Sequence, residues 1–143
     1  MRGPSEPVDW RINIFYNLLL RLLSRPIVRD GEWQLLECTP AWENNVSYDA
    51  FIAYAWHSSE GERLLVTVNF APHQSQCYVR LPFSDLDGKQ WKLRDMLGDA
   101  IYDREGKDLH SRGLYLDVPA WHCHIFEFLD VTEESKKVQA VAV

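Results

Sequence analysis

Positive charge is scarce in this sequence. It has 15 Lys and Arg against 21 Asp and Glu, a formal net charge of −6, and no run of basic residues. Because nucleic-acid binding needs a basic patch to neutralise phosphates, this balance excludes that class of partner. The sequence also lacks an apolar run long enough to span a bilayer, and its start, MRGPSEPVDW, has no apolar core of a secretory signal. We therefore expect a cytoplasmic protein that does not contact a membrane.

Cysteine and catalytic motifs are equally scarce. Cys38, Cys77 and Cys123 are odd in number and far apart, which predicts buried, reduced thiols and no disulfide framework. No serine lies in a GxSxG motif, and no cysteine has an activating neighbourhood. The aspartates lie mostly in or beside turns, where Asp bonds its own backbone, and none forms a recognisable buried acid–base pair. We expect neither a catalytic residue nor a cofactor.

What the sequence does contain is one strongly apolar helical segment near its start. Asp9 can cap a helix that Pro26 terminates. Polar side chains recur at helical spacing at Asn13, Asn17 and Arg21, and apart from Arg11 almost everything else between residues 10 and 24 is apolar. A surface helix normally has an apolar stripe of little over ~100°, so this one is expected to have neighbours on more than one side. We expect Phe15, Leu18, Leu19 and Leu22 to face a partner, either a further domain or a second copy of the chain.

After residue 26 the period of the sequence changes from helical to two. Short alternating runs, separated by turn signals such as Asp87-Gly88, are typical of an antiparallel sandwich or barrel, and no βαβ alternation occurs. We predict an all-β fold: an antiparallel Greek-key β-sandwich of about eight strands, preceded by one N-terminal α-helix. The predicted divisions are an N-terminal segment and helix at residues 1–26, the sandwich at 27–129 and a disordered tail at 130–143.

Two groups of residues could bind a ligand. His122 and His124 lie two apart on a predicted strand, so their rings leave the same face and could chelate zinc with a third ligand. Only two ligands are local, so we predict no metal site. Trp42, Asn44 and Tyr48 lie in a polar loop and combine aromatic faces with an amide, as sugar-binding sites do. A Trp folded back over the end of the sandwich is the alternative at this position, and it is favoured because large aromatics are usually mostly buried.

Several segments of the chain resemble a known family. Read in order, FYNLLLRLLSRPIVRDGEWQLLE, AYAW, RLLVTVNFAP, WKLRDML, YDREGKDL and GLYLDVPAWHCHIFEF resemble the C-terminal end of alpha-amylase superfamily glycoside hydrolases. In that family a (β/α)8 barrel is followed by an antiparallel Greek-key sandwich called domain C. The resemblance covers nearly all of residues 2–128. It implies that the helix at residues 10–24 corresponds to the last helix of the barrel.

The resemblance also implies what this chain lacks. The catalytic aspartates and glutamate of the family lie on barrel strands and loops that precede domain C, and none of those motifs occurs here. We therefore expect a non-catalytic domain C that stabilises or shields the barrel of an alpha-glucan-acting glycosidase. The alternatives are a stand-alone carbohydrate-binding module that uses Trp42 to bind an alpha-glucan, and a small metal-binding protein that uses His122 and His124.

Overall fold

A computed structural model describes Pro7 and residues 9–141 of the chain. The helices in this part are α1 Trp10–Leu23, α2 Pro26–Asp30, α3 Gly106–Ser111 and α4 Thr132–Val141, with one 3₁₀ turn at Ser47–Ala50. The strands are β1 Glu32–Leu35, β2 Cys38–Thr39, β3 Phe51–His57, β4 Arg63–Asn69, β5 Ser75–Val79, β6 Gln90–Asp95, β7 Ile101–Glu105, β8 Leu114–Val118 and β9 Cys123–Asp130. The prediction of a mostly β fold with an N-terminal helix is confirmed.

The strands of the described residues form two sheets, and every pairing is antiparallel. One sheet has six strands in the order β1-β3-β4-β9-β6-β7, and the other has three in the order β2-β5-β8. The sequence predicts a single strand over residues 32–38, but that run is divided between the two sheets. The amide of Leu36 bonds the carbonyl of Ala53 in one sheet, while the carbonyl of Glu37 accepts from Arg80 beside the other.

The main core lies between the two sheets. Side chains from the inner face of the six-stranded sheet, including Ala53, Leu65 and Phe126, form one buried cluster with Val79 and Leu116 of the three-stranded sheet. In β3 the inner side chains alternate with outer ones, as the period of two predicts. The continuous apolar run LLVTVNF at residues 64–70 predicts a central strand that is buried on both faces. The strand β4 is buried along most of its length on both faces and lies between β3 and β9, which confirms this prediction.

Helix α1 packs on the outer face of the six-stranded sheet. Asp9 caps it by accepting from the amide of Arg11 at 3.0 Å. The helix ends at Leu23, and two residues separate it from α2, which has Pro26 at its first turn. Leu22 is buried in a second cluster with Leu64, Val66 and Ile125 of the sheet. The helix therefore covers the middle of this sheet, on the side away from the main core.

Three helices lie outside the predicted one-helix plan. Pro26 both ends α1 and starts α2, because proline is favoured at the first helical position. Helix α3 begins at Gly106, where the sequence indicates only a turn, and packs Leu109 into the main core. The tail predicted to be disordered contains α4, whose Thr132 accepts through its hydroxyl from the amide of Gln90 at 3.0 Å. That contact attaches the start of α4 to strand β6.

Gly61 and Gly113 both have a positive φ, but only Gly113 lies close to other atoms of the chain. Gly113 has φ +89°, and a methyl group there would lie 2.2 Å from the carbonyl oxygen of Val79; Gly61 has φ +87° with nothing within 4 Å. We expect Gly61→Ala to lower the free energy of unfolding by about 1 kcal/mol and Gly113→Ala by about 2–4 kcal/mol, because only the second also displaces backbone. Denaturant unfolding measures both values. Equal losses would contradict this placement of Gly113.

Candidate functional site

The first candidate site is the part of α1 that its own sheet leaves uncovered. Leu18 and Leu19 pack with Leu22 against the second cluster, so these three predicted partner-facing residues contact the chain's own sheet. Phe15, the fourth, is exposed. Six further large apolar side chains of the helix are also exposed: Trp10, Ile12, Ile14, Tyr16, Leu20 and Leu23. The uncovered side of α1 is thus formed mainly by residues other than those the sequence indicates.

Further apolar side chains are exposed on the same face of the six-stranded sheet. Trp33 and Leu35 of β1 and Ile52 of β3 lie on the outer face and are exposed. Trp33 packs on Tyr54 with ring centroids 6.0 Å apart, and Tyr54 packs in turn against the cluster beneath α1. We call the exposed apolar residues of α1 together with Trp33, Leu35 and Ile52 the outer apolar surface. Monomeric proteins rarely expose many large apolar side chains on one face, and those that do usually have a partner there.

The second candidate site is a cleft of about 610 Å³ at one end of the two sheets, which we call the end cleft. Trp42 and Asn44 line it, as the sugar-binding prediction requires, and Phe70 lines it as well. Trp42 is 54% exposed, so its ring is not folded back over the end of the sandwich. The cleft volume is within the range of ordinary small-ligand sites.

A hydrogen-bonded row of amides and hydroxyls lines the end cleft. The side-chain amide of Asn45 donates to Gln76 Oε1 at 3.0 Å, and its oxygen accepts from the Ser47 hydroxyl at 2.7 Å. Gln76 and Gln74 in turn donate to the same carboxylate oxygen of Asp117, at 3.0 and 2.8 Å. These two bonds hold the pKa of Asp117 below its ordinary value, Gln74 contributing most, because both favour the charged form. The network fixes the side chains of the cleft in one arrangement.

Three residues change the predicted sugar site. Tyr48 does not line the end cleft: it lies in the 3₁₀ turn, which directs its side chain against the main core. Phe70 and Trp121 were not indicated by the sequence, yet they contact edge to face with centroids 5.6 Å apart. They follow β4 and precede β9, and only the antiparallel pairing of those strands brings the two together. A signal was available in VNFAP and VPAW, each of which places an aromatic two positions from a proline.

The two histidines of the metal alternative have other contacts. His124 Nδ1 lies 2.7 Å from Asp95 Oδ2, while His122 Nδ1 is 3.0 Å from the carbonyl of Ala120. Asp95 is buried and also accepts from the amide of Ile125 through its other oxygen. Within residues 9–141 no group of three or more His, Cys, Asp or Glu is placed to hold a metal ion.

A third cavity, of about 690 Å³, surrounds a buried arginine. Arg63 is 4% exposed, and its guanidinium lies against the rings of Phe83 and Trp91, 4.9 and 4.8 Å from their centroids. Its Nη2 bonds Asp85 at 2.5 Å, which lowers the pKa of that carboxyl. The bond to Asp85 and the two ring contacts join β4 to the loop before β6, while Nη1 of Arg63 is buried and has no hydrogen-bond partner among the described residues.

The bond from Gln74 to Asp117 gives a test of the network. We expect Gln74→Ala to raise the pKa of Asp117 part of the way to its ordinary value, because one donor to the charged form is lost and Gln76 remains. The bonded carboxylate stabilises the fold above the pKa that Asp117 has in the unfolded chain, and this stability is lost as the pH falls through the lower folded value. Carboxyl-carbon NMR titration measures the pKa. Gln34→Ala, an exposed glutamine on β1, is the control, and an unchanged Asp117 in Gln74→Ala would contradict the network.

No protein-family model matches the chain, and no curated protein sequence matches it significantly. None of the described helices has the length and apolar character needed to cross a membrane. The likeness to the C-terminal region of alpha-amylase superfamily enzymes thus depends on short segments of the sequence alone.

Proposed function

We propose that this chain is the non-catalytic Greek-key β-sandwich, domain C, of an alpha-amylase-like glycosidase that acts on alpha-glucans, and that it stabilises and shields the (β/α)8 barrel. The outer apolar surface is the observation that carries the proposal. In the family that the sequence resembles, the helix corresponding to α1 is the last helix of the barrel and lies between barrel and sandwich. A helix in that position needs apolar side chains toward both, as α1 has.

The energetics favour a large, permanent partner on this surface. Fully burying one Leu, Phe or Trp side chain contributes about 1.5–3 kcal/mol relative to leaving it exposed. Seven exposed apolar side chains of α1 and three of β1 and β3 share one side of the six-stranded sheet. A barrel covers such an area in a single contact, whereas a small ligand or a peptide covers only part of it.

The described carboxylates support a non-catalytic role. Hydrolysis of a glycosidic bond uses two carboxyl groups at a defined separation across the bond, one of them with a raised pKa. Of the aspartates with a shifted pKa in residues 9–141, Asp30, Asp85, Asp117 and Asp130 are all shifted downward, by hydrogen bonds that favour the charged form. On this proposal the catalytic carboxyls belong to the barrel.

The thiols support a cytoplasmic location for the proposed enzyme. Cys38, Cys77 and Cys123 are all unpaired, and Cys77 is fully buried. Cys38 and Cys77 interact side by side, which raises the pKa of the Cys77 thiol. An odd number of cysteines spread along the chain does not form a disulfide framework, and this pattern suits a reducing compartment.

The proposal is tested by adding the chain to the barrel of an alpha-amylase superfamily enzyme from which both the last barrel helix and domain C have been removed. We expect the midpoint of thermal unfolding of the barrel to rise with chain concentration, because a ligand that binds only the folded state stabilises it. Leu20→Asp is expected to weaken the association about tenfold or more, since it places a charge in the apolar contact. Leu20 is 60% exposed in the isolated chain, so this variant should still fold.

Ile101→Asp is the matched control for Leu20→Asp. Ile101 is similarly exposed but lies on β7, at the opposite edge of the sheet from β1. We expect the control variant to raise the unfolding midpoint of the barrel by as much as the unchanged chain does. An unfolding midpoint that the chain does not move, or a dimer of the chain that Leu20→Asp disrupts without any effect on the barrel, would overturn the proposal.

A further inference from the structure

We propose that the end cleft is a non-catalytic binding site for a neutral polysaccharide, with Trp42 and Phe70 as the faces on which sugar rings stack. Both side chains line the cleft and are largely exposed, Trp42 by 54% and Phe70 by 68%. Trp121, 59% exposed, packs edge to face on Phe70. Aromatic rings of this size are usually mostly buried, so three exposed rings at one end of the fold need an explanation outside the core.

The backbone that presents these rings is strained and firmly held. Trp121 has φ +61°, a left-handed conformation that is rare for a bulky residue and costs about 1–3 kcal/mol. The buried side chain of Asn69 stabilises this region by donating to the carbonyls of His73, Val118 and Pro119 at 3.0–3.1 Å. One amide thus joins the loop after Phe70 to the turn before Trp121. Strain that a fold maintains at exposed aromatic residues is typical of a binding site.

The polar groups of the cleft select a neutral, hydroxyl-rich ligand. The described residues that line it include four side-chain amides, Asn44, Asn45, Gln74 and Gln76, and no Lys or Arg. Amides both donate and accept, as sugar hydroxyls do, whereas a phosphate or carboxylate ligand needs a cation. Asp49 is the single carboxylate of the lining, which further disfavours an anion. The flat apolar face of a pyranose and its rim of hydroxyls match rings and amides placed in this way.

The cleft is separate from the outer apolar surface. The residues that line it share no member with the exposed apolar residues of α1, β1 and β3. Sugar binding therefore does not depend on the barrel contact, and both can occur in the same molecule. The choice of an alpha-linked glucan as the ligand rests on the proposed function, because cleft chemistry alone specifies a neutral saccharide.

The experiment titrates the intact chain with maltoheptaose and follows the indole N–H signals by NMR. We expect the signal of Trp42 to shift in a saturable manner and that of Trp33, exposed on β1, to stay unchanged. Trp42→Ala and Phe70→Ala should each weaken binding about tenfold or more, because each removes a stacking face. Trp33→Ala is the matched control and should bind as the unchanged chain does. Thermal unfolding of each variant verifies that it folds, since all three side chains are exposed.

Parallel arms of the titration distinguish the other outcomes. Cellohexaose tests the linkage, and stronger binding of it than of maltoheptaose would overturn the alpha-glucan assignment. A Trp42 signal that responds to neither sugar would overturn the site itself. A dimer of the chain that Trp42→Ala disrupts would show that the cleft binds protein, and would also overturn the proposal. None of these results depends on the barrel experiment, so failure of sugar binding leaves the barrel proposal standing, and the reverse holds as well.

Discussion

Burial of β4 on both faces is the constraint on which the rest of the structure depends. Its inner side chain Leu65 belongs to the core between the sheets, while Leu64 and Val66 on the other face belong to the cluster beneath α1. A strand that is apolar on both sides is stable only with a layer on each side of it. The three-stranded sheet supplies one layer and α1 the other. A single helix is narrower than a six-stranded sheet, so the outer face of β1 and β3 stays uncovered beside it, and the outer apolar surface is a consequence of this geometry.

Local pattern predicts the elements of this fold well, because each strand alternates between the two sides of its sheet. The alternation of Ala53 and Ala55 with Tyr54 and Trp56 is visible in the sequence and is reproduced in the burial of β3. The division of residues 32–39 between two sheets could not be predicted, since it depends on where the chain crosses from one layer to the other. Helix α3 is not predicted, because Gly106 in the sequence indicates a turn. Position 106 requires glycine for a different reason, since a methyl group on it would lie 1.6 Å from the carbonyl oxygen of Leu86.

The candidate sites were predictable only where a single segment supplies the residues. Trp42 and Asn44 lie in one polar loop, so composition alone indicates them. Phe70 and Trp121 are fifty-one positions apart, and only the pairing of β4 with β9 places them in contact. The orientation of helix α1 was also not predictable from the sequence. Its apolar residues are plain from the sequence, but which of them face the sheet depends on the rotation of α1 about its axis, and that rotation is set by packing over Leu64, Val66 and Ile125.

The outer apolar surface and the end cleft differ in chemistry in a way that suits two kinds of partner. Exposed Leu, Ile and Trp side chains with few hydrogen-bonding groups favour a contact that excludes water permanently, since each exposure to solvent has a cost. Several amides of the cleft already have internal partners, Asn45 bonding Gln76 and both glutamines bonding Asp117, so a ligand must compete with these bonds and gains little from each exchange. Stacking on the exposed rings then supplies most of the affinity, and weak, reversible binding follows. If the proposed function holds, such a domain stays attached to a barrel while it captures and releases a polysaccharide chain.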